Sequence, residues 1–228
     1  MNQTWPKLMQ DDGYFVGHTG KWHYYNDNTD RFVDWQVMFE GSHWESKRKH
    51  LISADDKAKE EAIKFLKCRP KDKSFAMTVA FYPPKPVGFS REVGEQLKPK
   101  NETRAMYDNI IIPEPYNMTQ AFGMLPDFLQ YHRSAAVARF YERYRTEEHY
   151  QEALKRIYAL ITQVDQACKS IVDEVKKQGL YDNTMIIFTT DNGMFHGSHG
   201  LAGKWYPYQE SIRVPLTIHD PRMPADIR

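Results

Sequence analysis

Between Tyr150 and Val175 the chain carries an apolar stripe that fixes much of what it can become. Tyr150, Leu154, Ile157, Ile161, Val164, Cys168, Ile171 and Val175 recur at alternating steps of four and three, which places all eight on one face of a single α-helix. Thr146 is suited to cap its start, and Gly179 to end it. A heptad of this kind also suits a coiled coil, but it stands alone and runs within a few residues into Met185-Ile-Ile-Phe-Thr-Thr190. That apolar run has the character of a strand buried on both faces of a mainly parallel sheet. The spacing therefore predicts a long helix packed on a sheet, and with the second apolar run Arg213 to Ile218 it predicts an α/β fold.

Thr4 to Asp12 predicts a short helix stopped at Gly13, and Tyr14 to His18 a buried strand followed by Gly20-Lys21-Trp22-His23. Tyr24 to His50 shows no sustained period and reads as irregular. Ser53 caps a predicted helix carrying Ala58, Ile63, Phe65 and Leu66, and Ser74 to Phe81 predicts a strand stopped by Tyr82-Pro83-Pro84. Residues 83 to 128 hold many of the prolines and read as a long surface loop.

Bulk properties narrow the partners. With 228 residues, 41% of them hydrophobic, the chain has enough apolar material for one sizeable domain. Its 31 basic and 30 acidic side chains create no overall field toward nucleic acid. No apolar run approaches the roughly 20 residues of a membrane span, and the N-terminal residues lack the basic and apolar regions of a secretion signal. Cys68 and Cys168 are too few and too distant to suggest a disulfide framework or a thiolate metal site. Sequons at Asn2, Asn101 and Asn117 lend slight weight to a secretory parent.

The candidate chemistry lies where the late strand ends. In open α/β sheets ligands collect beyond the carboxyl ends of strands, and here that position is Asp191-Asn192-Gly193. A carboxylate and an amide oxygen side by side are hard ligands for calcium or magnesium, although the tripeptide alone is also an ordinary turn. His196, His199 and Lys204 follow in a glycine-studded loop without apolar periodicity. A cation beside a metal ion would bind the nonbridging oxygens of a phosphate or sulfate ester. Lys21 and His23 add a second cation and imidazole. Phe15 and Trp22 exclude a P-loop around Lys21, and no H-E-x-x-H or G-x-S-x-G element occurs. His43, His50, His132 and His149 fall in polar surroundings and read as surface residues.

Taken together, Gly20-Lys21-Trp22-His23, Asp191-Asn192-Gly193, His199-Gly-Leu-Ala-Gly-Lys204 and Glu210-Ser-Ile-Arg-Val-Pro215 resemble the type I sulfatases. The resemblance is strong over about 4 to 23 and 150 to 222 and weak between them. It implies an alkaline-phosphatase-like α/β fold with a mainly parallel central sheet flanked by helices, calcium (or magnesium) as the metal, and a formylglycine nucleophile. It further implies Asp191 and Asn192 as metal ligands, Lys21 and Lys204 on the sulfate oxygens, His23 assisting turnover of the covalent intermediate, and His199 lining the substrate pocket. The partner it implies is a sulfate-ester small molecule or sulfated glycan, in a secreted, periplasmic or lysosomal parent.

Two departures qualify the resemblance. The nucleophile element, C-x-P-x-R or its Ser form, and two acidic ligands are missing ahead of Gly20, and Cys68-Arg69-Pro70-Lys71-Asp72 ends on the wrong residue. Where family members often have a His in an x-P-H-x-P context, the chain has Pro84-Lys85-Pro86, so Lys85 is a candidate substrate contact or a solvated loop charge. Residues 1–228 are accordingly expected to form one partial catalytic domain, lacking the first strand, the nucleophile segment and the C-terminal subdomain, and inactive alone. The alternatives are a noncatalytic binding module and a phosphodiesterase or phosphonate hydrolase of the same superfamily.

Overall fold

The computed structural model describes residues 4–22, 33–39, 41–47, 50–88, 90, 92–131 and 134–224. The chain divides into two compact units: Met1–Val87 with Lys98–Thr103 and Ala159–Gly179, and Gly88–Leu97 with Arg104–Tyr158 and Leu180–Arg228.

In the first unit a short helix, Trp5–Asp11 (α1), ends at Gly13 with φ +87° and leads into Phe15–Lys21 (β1). Strand β1 is the middle of a parallel sheet. Trp35–Phe39 (β2) pairs on one side with Gly17 opposite Trp35, and Phe75–Ala80 (β5) on the other with Phe15 opposite Phe75. Residues Val16 to Gly20 are all buried, as expected of a strand covered on both faces. Between β2 and β5 the chain forms an antiparallel hairpin, Trp44–Lys47 (β3) and His50–Ser53 (β4), and then the helix Ala54–Cys68 (α2).

Helix α2 starts where Ser53 predicts, its hydroxyl accepting from the Asp56 amide. One ring seats it on the sheet. Phe65 is fully buried, stacks on Phe15 with centroids 5.3 Å apart, and meets Trp35 and Phe75 edge-on at 6.4 and 6.1 Å. Each of the three strands thus contributes one aromatic. Gly17 makes room for them, because a Cβ there would lie 2.5 Å from Cε2 of Phe65. Burying a Phe side chain contributes about 2 to 3 kcal/mol.

The long helix is present as Glu147–Lys177, seventh in chain order (α7), after the short helices Val93–Gln96 (α3), Asn101–Ala105 (α4), Asp127–Gln130 (α5) and Ala135–Arg143 (α6). Gly179 ends it at φ +68°. From Ala159 onward it belongs to the first unit. Gln163 donates to Asp55 at 2.7 Å, and Arg69 donates to Gln178 at 2.9 Å. The lower-numbered contacts pair with each other and the higher with each other, so α2 and this part of α7 run parallel in nearly matched register.

Several expectations need correction. The segment expected to be irregular holds β2 and β3, and β2 carries a short period-two signal in Trp35, Val37 and Phe39 whose burial depends on pairing with β1. Lys21 is the last residue of β1 rather than part of the loop after it. The late strand exists as Ile186–Thr189 (β6), but it pairs antiparallel with Leu216–His219 (β7), and Ile187, Phe188, Leu216 and Ile218 are exposed. An apolar run specifies a strand but not its direction, and the connection from 190 to 215 returns the chain without the long crossover helix that a parallel partner needs.

His43 is also not a surface residue. It is 2% exposed, its Nδ1 accepts from the Lys98 amide at 3.2 Å, and its Nε2 donates to the Lys85 carbonyl at 2.9 Å. With both ring nitrogens engaged, the neutral imidazole ties two loop segments together. His149 is half-buried beside Thr146, and His132 and the His50 side chain lie outside the described residues.

Burial, with a smaller contribution from the Lys98 charge, pushes the His43 pKa down to about 4. The unfolded chain then takes up a proton near pH 6.5 that the folded chain refuses until about 4, so this contribution to stability is full above pH 6.5 and is lost as pH falls through that window. Asp55, raised by burial to about 6, acts in the opposite sense, with stability lost as pH rises toward 6. Urea denaturation of wild type and His43→Gln between pH 7 and 4 isolates the histidine: the variant is expected to be less stable at pH 7 and to show a shallower decline on acidification. Parallel curves would refute this.

Candidate functional site

The sequence places its candidate chemistry in a loop that leaves β6 at Thr190 and returns to β7 through the short helix Gln209–Ile212 (α8). Two large apolar side chains anchor the loop. Phe195 and Leu201 are 1% and 0% exposed and join Leu125, Leu129, Ala136 and Val137 in the core of the second unit. Between them the backbone folds on itself, with Phe195 N–H donating to the Gly203 carbonyl at 2.9 Å and Gly197 N–H to Leu201 at 3.1 Å. A further bond, from Ala202 N–H to the Ala136 carbonyl at 3.1 Å, fixes the returning limb to α6.

This fold-back brings Lys204 to Asn192. The lysine ammonium donates to Asn192 Oδ1, and the other side of the amide donates to the Gly193 carbonyl at 2.7 Å. Glycine is required next to it. Gly193 N–H donates to the Ser211 carbonyl at 2.8 Å, and a Cβ on Gly193 would stand 2.1 Å from the Glu210 carbonyl oxygen. Asp191 is exposed, and its carboxylate has no hydrogen-bond or ionic partner among the described residues. Asn192 and Lys204 share a shallow cleft with Trp205, Tyr206, Pro207, Ser211 and Ile212.

The two loop histidines do different work. His199 Nε2 meets Glu210 Oε1 at 3.0 Å while its backbone N–H reaches Asn117 Oδ1 at 3.4 Å, and it is not among the residues lining the cleft. His196 lies 3.4 Å from the Tyr144 hydroxyl, and burial together with the nearby Arg143 guanidinium pushes its pKa down to about 4. It is neutral at physiological pH. His196, His199 and Trp205 all have positive φ, at 48°, 59° and 85°, so the loop holds three side chains in backbone conformations that they adopt at a cost.

Lys21 and Lys85 belong to the first unit. Lys21 is half-buried at the end of β1, opposite Phe39 in register. The Lys85 ammonium lies 5.2 Å from the centroid of the Tyr82 ring, and the Lys85 carbonyl accepts from His43. His23 lies outside the described residues. Cys68, already set aside as a nucleophile, is the exposed last residue of α2. Asn117, read from sequence only as a sequon, and Trp205 and Glu210, given no individual role, are the residues the loop adds to the site. The available signals were the adjacency of Trp205 to Lys204 and the place of Glu210 at the head of the Glu210 to Pro215 element.

The donor types at the β6 end suit a hard divalent cation, but they are few. Asp191 and Asn192 provide three side-chain oxygens, of which Asn192 Oδ1 already accepts from Lys204, and no group of three or more His, Cys, Asp or Glu side chains converges among the described residues. Calcium takes six to eight oxygen ligands.

Comparison with known proteins identifies the family. The family model described as Sulfatase matches residues 2–227. A curated relative, N-acetylglucosamine-6-O-sulfatase from Bacteroides thetaiotaomicron, is 24% identical over an alignment covering 96% of this chain and 49% of the relative. A protein solved in complex with its substrate D-glucosamine-2-N,6-O-disulfate matches with a TM-score of 0.72 at 24% identity, over 96% of this chain and 56% of that one. A phosphonate monoester hydrolase from Silicibacter pomeroyi matches at TM-score 0.70 and 17% identity, over 95% and 52%. The chain belongs to the Sulfatase family, and its fold is the α/β fold of the alkaline-phosphatase superfamily. It spans about half the length of the full-length relative it matches.

The close approach at Gly193 yields a direct test. Gly193→Ala is expected to destabilise the chain by about 2 kcal/mol or more, because the backbone carbonyl of Glu210 must move aside. Chemical denaturation measures this, and an unchanged midpoint would show that α8 does not rest on Gly193.

Proposed function

We propose that this chain carries the anion-recognising part of a sulfuric ester hydrolase. The observation that supports it most is the pairing of Lys204 with Asn192 directly beyond β6, in a chain of the Sulfatase family. In this reading the Lys204 ammonium binds nonbridging sulfate oxygens and offsets the charge that develops as the ester bond breaks. Lys21 supplies a second such cation, and His23 a proton donor and acceptor for turnover of the intermediate. Lys85 is a further candidate contact to substrate. His199 would act as a positioning residue, holding α8 through Glu210.

Asp191 and Asn192 would hold a calcium or magnesium ion, which when bound polarises the sulfate group. Their oxygens are of the right kind, and the open Asp191 carboxylate is available to a cation. The formylglycine of the family has no counterpart in these 228 residues, so the proposal assigns this chain anion and metal binding without a nucleophilic step. The family match from 2 to 227 supports reading residues 1–228 as part of one catalytic domain. The substrate class we favour is a sulfated amino sugar such as glucosamine 6-sulfate. Support comes from a relative that is an N-acetylglucosamine-6-O-sulfatase and a structural neighbour solved with a disulfated glucosamine.

The decisive measurement offers 4-nitrophenyl sulfate, 4-nitrophenyl phosphate and a phosphonate monoester to the intact protein. Sulfate is expected to be preferred, and Lys204→Ala to lower kcat/KM for it roughly 100-fold or more. Preference for the phosphonate would favour the hydrolase of the neighbouring class, and sulfate binding without turnover a noncatalytic module. Calorimetry of the chain itself is expected to show only weak calcium binding, on the order of millimolar, as a site of only two ligand residues implies. Tight one-to-one binding would contradict the two-residue site.

A further inference from the structure

Resting on that reading of Lys204, we propose that Trp205 is the platform on which the sugar ring of the substrate stacks, so that this residue selects a pyranose sulfate over a sulfate on a small flexible alcohol. Trp205 follows the proposed sulfate ligand directly and lines the same cleft. A tryptophan ordinarily stabilises a fold by being buried, yet this one is 53% exposed. Its backbone has φ +85°, a conformation that costs a bulky residue on the order of 1 to 3 kcal/mol. Strain combined with exposure is poorly explained by packing.

The indole is nevertheless held firmly. The Arg139 guanidinium lies 4.1 Å from the ring centroid, a cation–π contact, and the six-membered ring edge rests on Gly203, where a Cβ would stand 2.6 Å from Cζ3. A ring fixed in advance loses little side-chain entropy when a ligand arrives. The aromatic face carries negative charge density, which attracts the weakly positive C–H bonds on the flat side of a pyranose. Ethyl sulfate offers Lys204 the same anionic group but no such face. Gly203 thereby acquires a second role, since any side chain there would displace the platform as well as the loop.

The test uses the 228-residue chain and NMR titration, which registers weak binding. The indole N–H signal of Trp205, one of five tryptophans, is identified by its loss in Trp205→Phe. Glucosamine 6-sulfate is expected to shift this signal and to bind about tenfold more tightly than inorganic sulfate or ethyl sulfate. Trp205→Ala should abolish that difference while leaving inorganic sulfate affinity unchanged, Trp205→Phe should keep most of it, and Lys204→Ala should weaken all three ligands. If sulfate binds but the sugar gives no increment, or if Trp205→Ala retains it, the platform is refuted while the sulfate site stands. If inorganic sulfate fails to bind, the reading of Lys204 falls first, and the platform with it.

Discussion

The candidate site depends on how closely two stretches of backbone approach each other at Gly193. Its amide is bonded to the Ser211 carbonyl, and the space a side chain would need is filled by the Glu210 carbonyl. Because α8 rests there, the amide of Asn192 faces the loop rather than solvent, and the ammonium of Lys204 can reach it. Phe195 and Leu201 then determine where the loop turns, and the bonds from Phe195 to Gly203 and from Gly197 to Leu201 close it. A hydrophobic anchor at each limb is an economical way to hold a polar loop, because the apolar burial stabilises a conformation whose positive-φ residues would otherwise relax.

The first unit solves a similar problem with a notch. Removing the side chain at Gly17 lets one helix residue, Phe65, touch an aromatic from each of three parallel strands. Parallel strands need such a cover, since their partners are distant in sequence and no hairpin turn sets their register. The polar contacts of Asp55 with Gln163 and of Arg69 with Gln178 then fix α7 beside α2 at both ends. Asp55 is buried with a raised pKa, which favours its protonated form in mildly acidic solution.

Much of this was legible in the sequence because it was written in periodicity and caps. The stripe from Tyr150 to Val175 gave α7, Ser53 gave the start of α2, and the apolar runs after Ser74 and Met185 gave β5 and β6. What was not legible depends on partners distant in the chain. Strand β2 is five residues long and only partly buried against β1, and the direction of β6 follows from a loop whose return path has no local signature. His43 looks polar in sequence because its two partners, the Lys98 amide and the Lys85 carbonyl, lie far along the chain. At the site, the residue types and spacing of Asp191, Asn192 and Lys204 were readable. The contact between Asn192 and Lys204 was not, since it comes from the burial of Phe195 and Leu201, and neither was the braced ring of Trp205.

The antiparallel pair of β6 and β7 has a consequence of another kind. Each strand is bonded on one side only within its sheet, and the eight residues Ile186 to Thr189 and Leu216 to His219 include no proline, lysine or glutamate to discourage further pairing. Such edges accept any extended segment that offers matching backbone groups, and the exposed Ile187, Phe188, Leu216 and Ile218 reward it. Pairing between copies is the hazard that such a ribbon carries, and a lysine in place of Thr217, within one of its two open edges, is a small change that would discourage it.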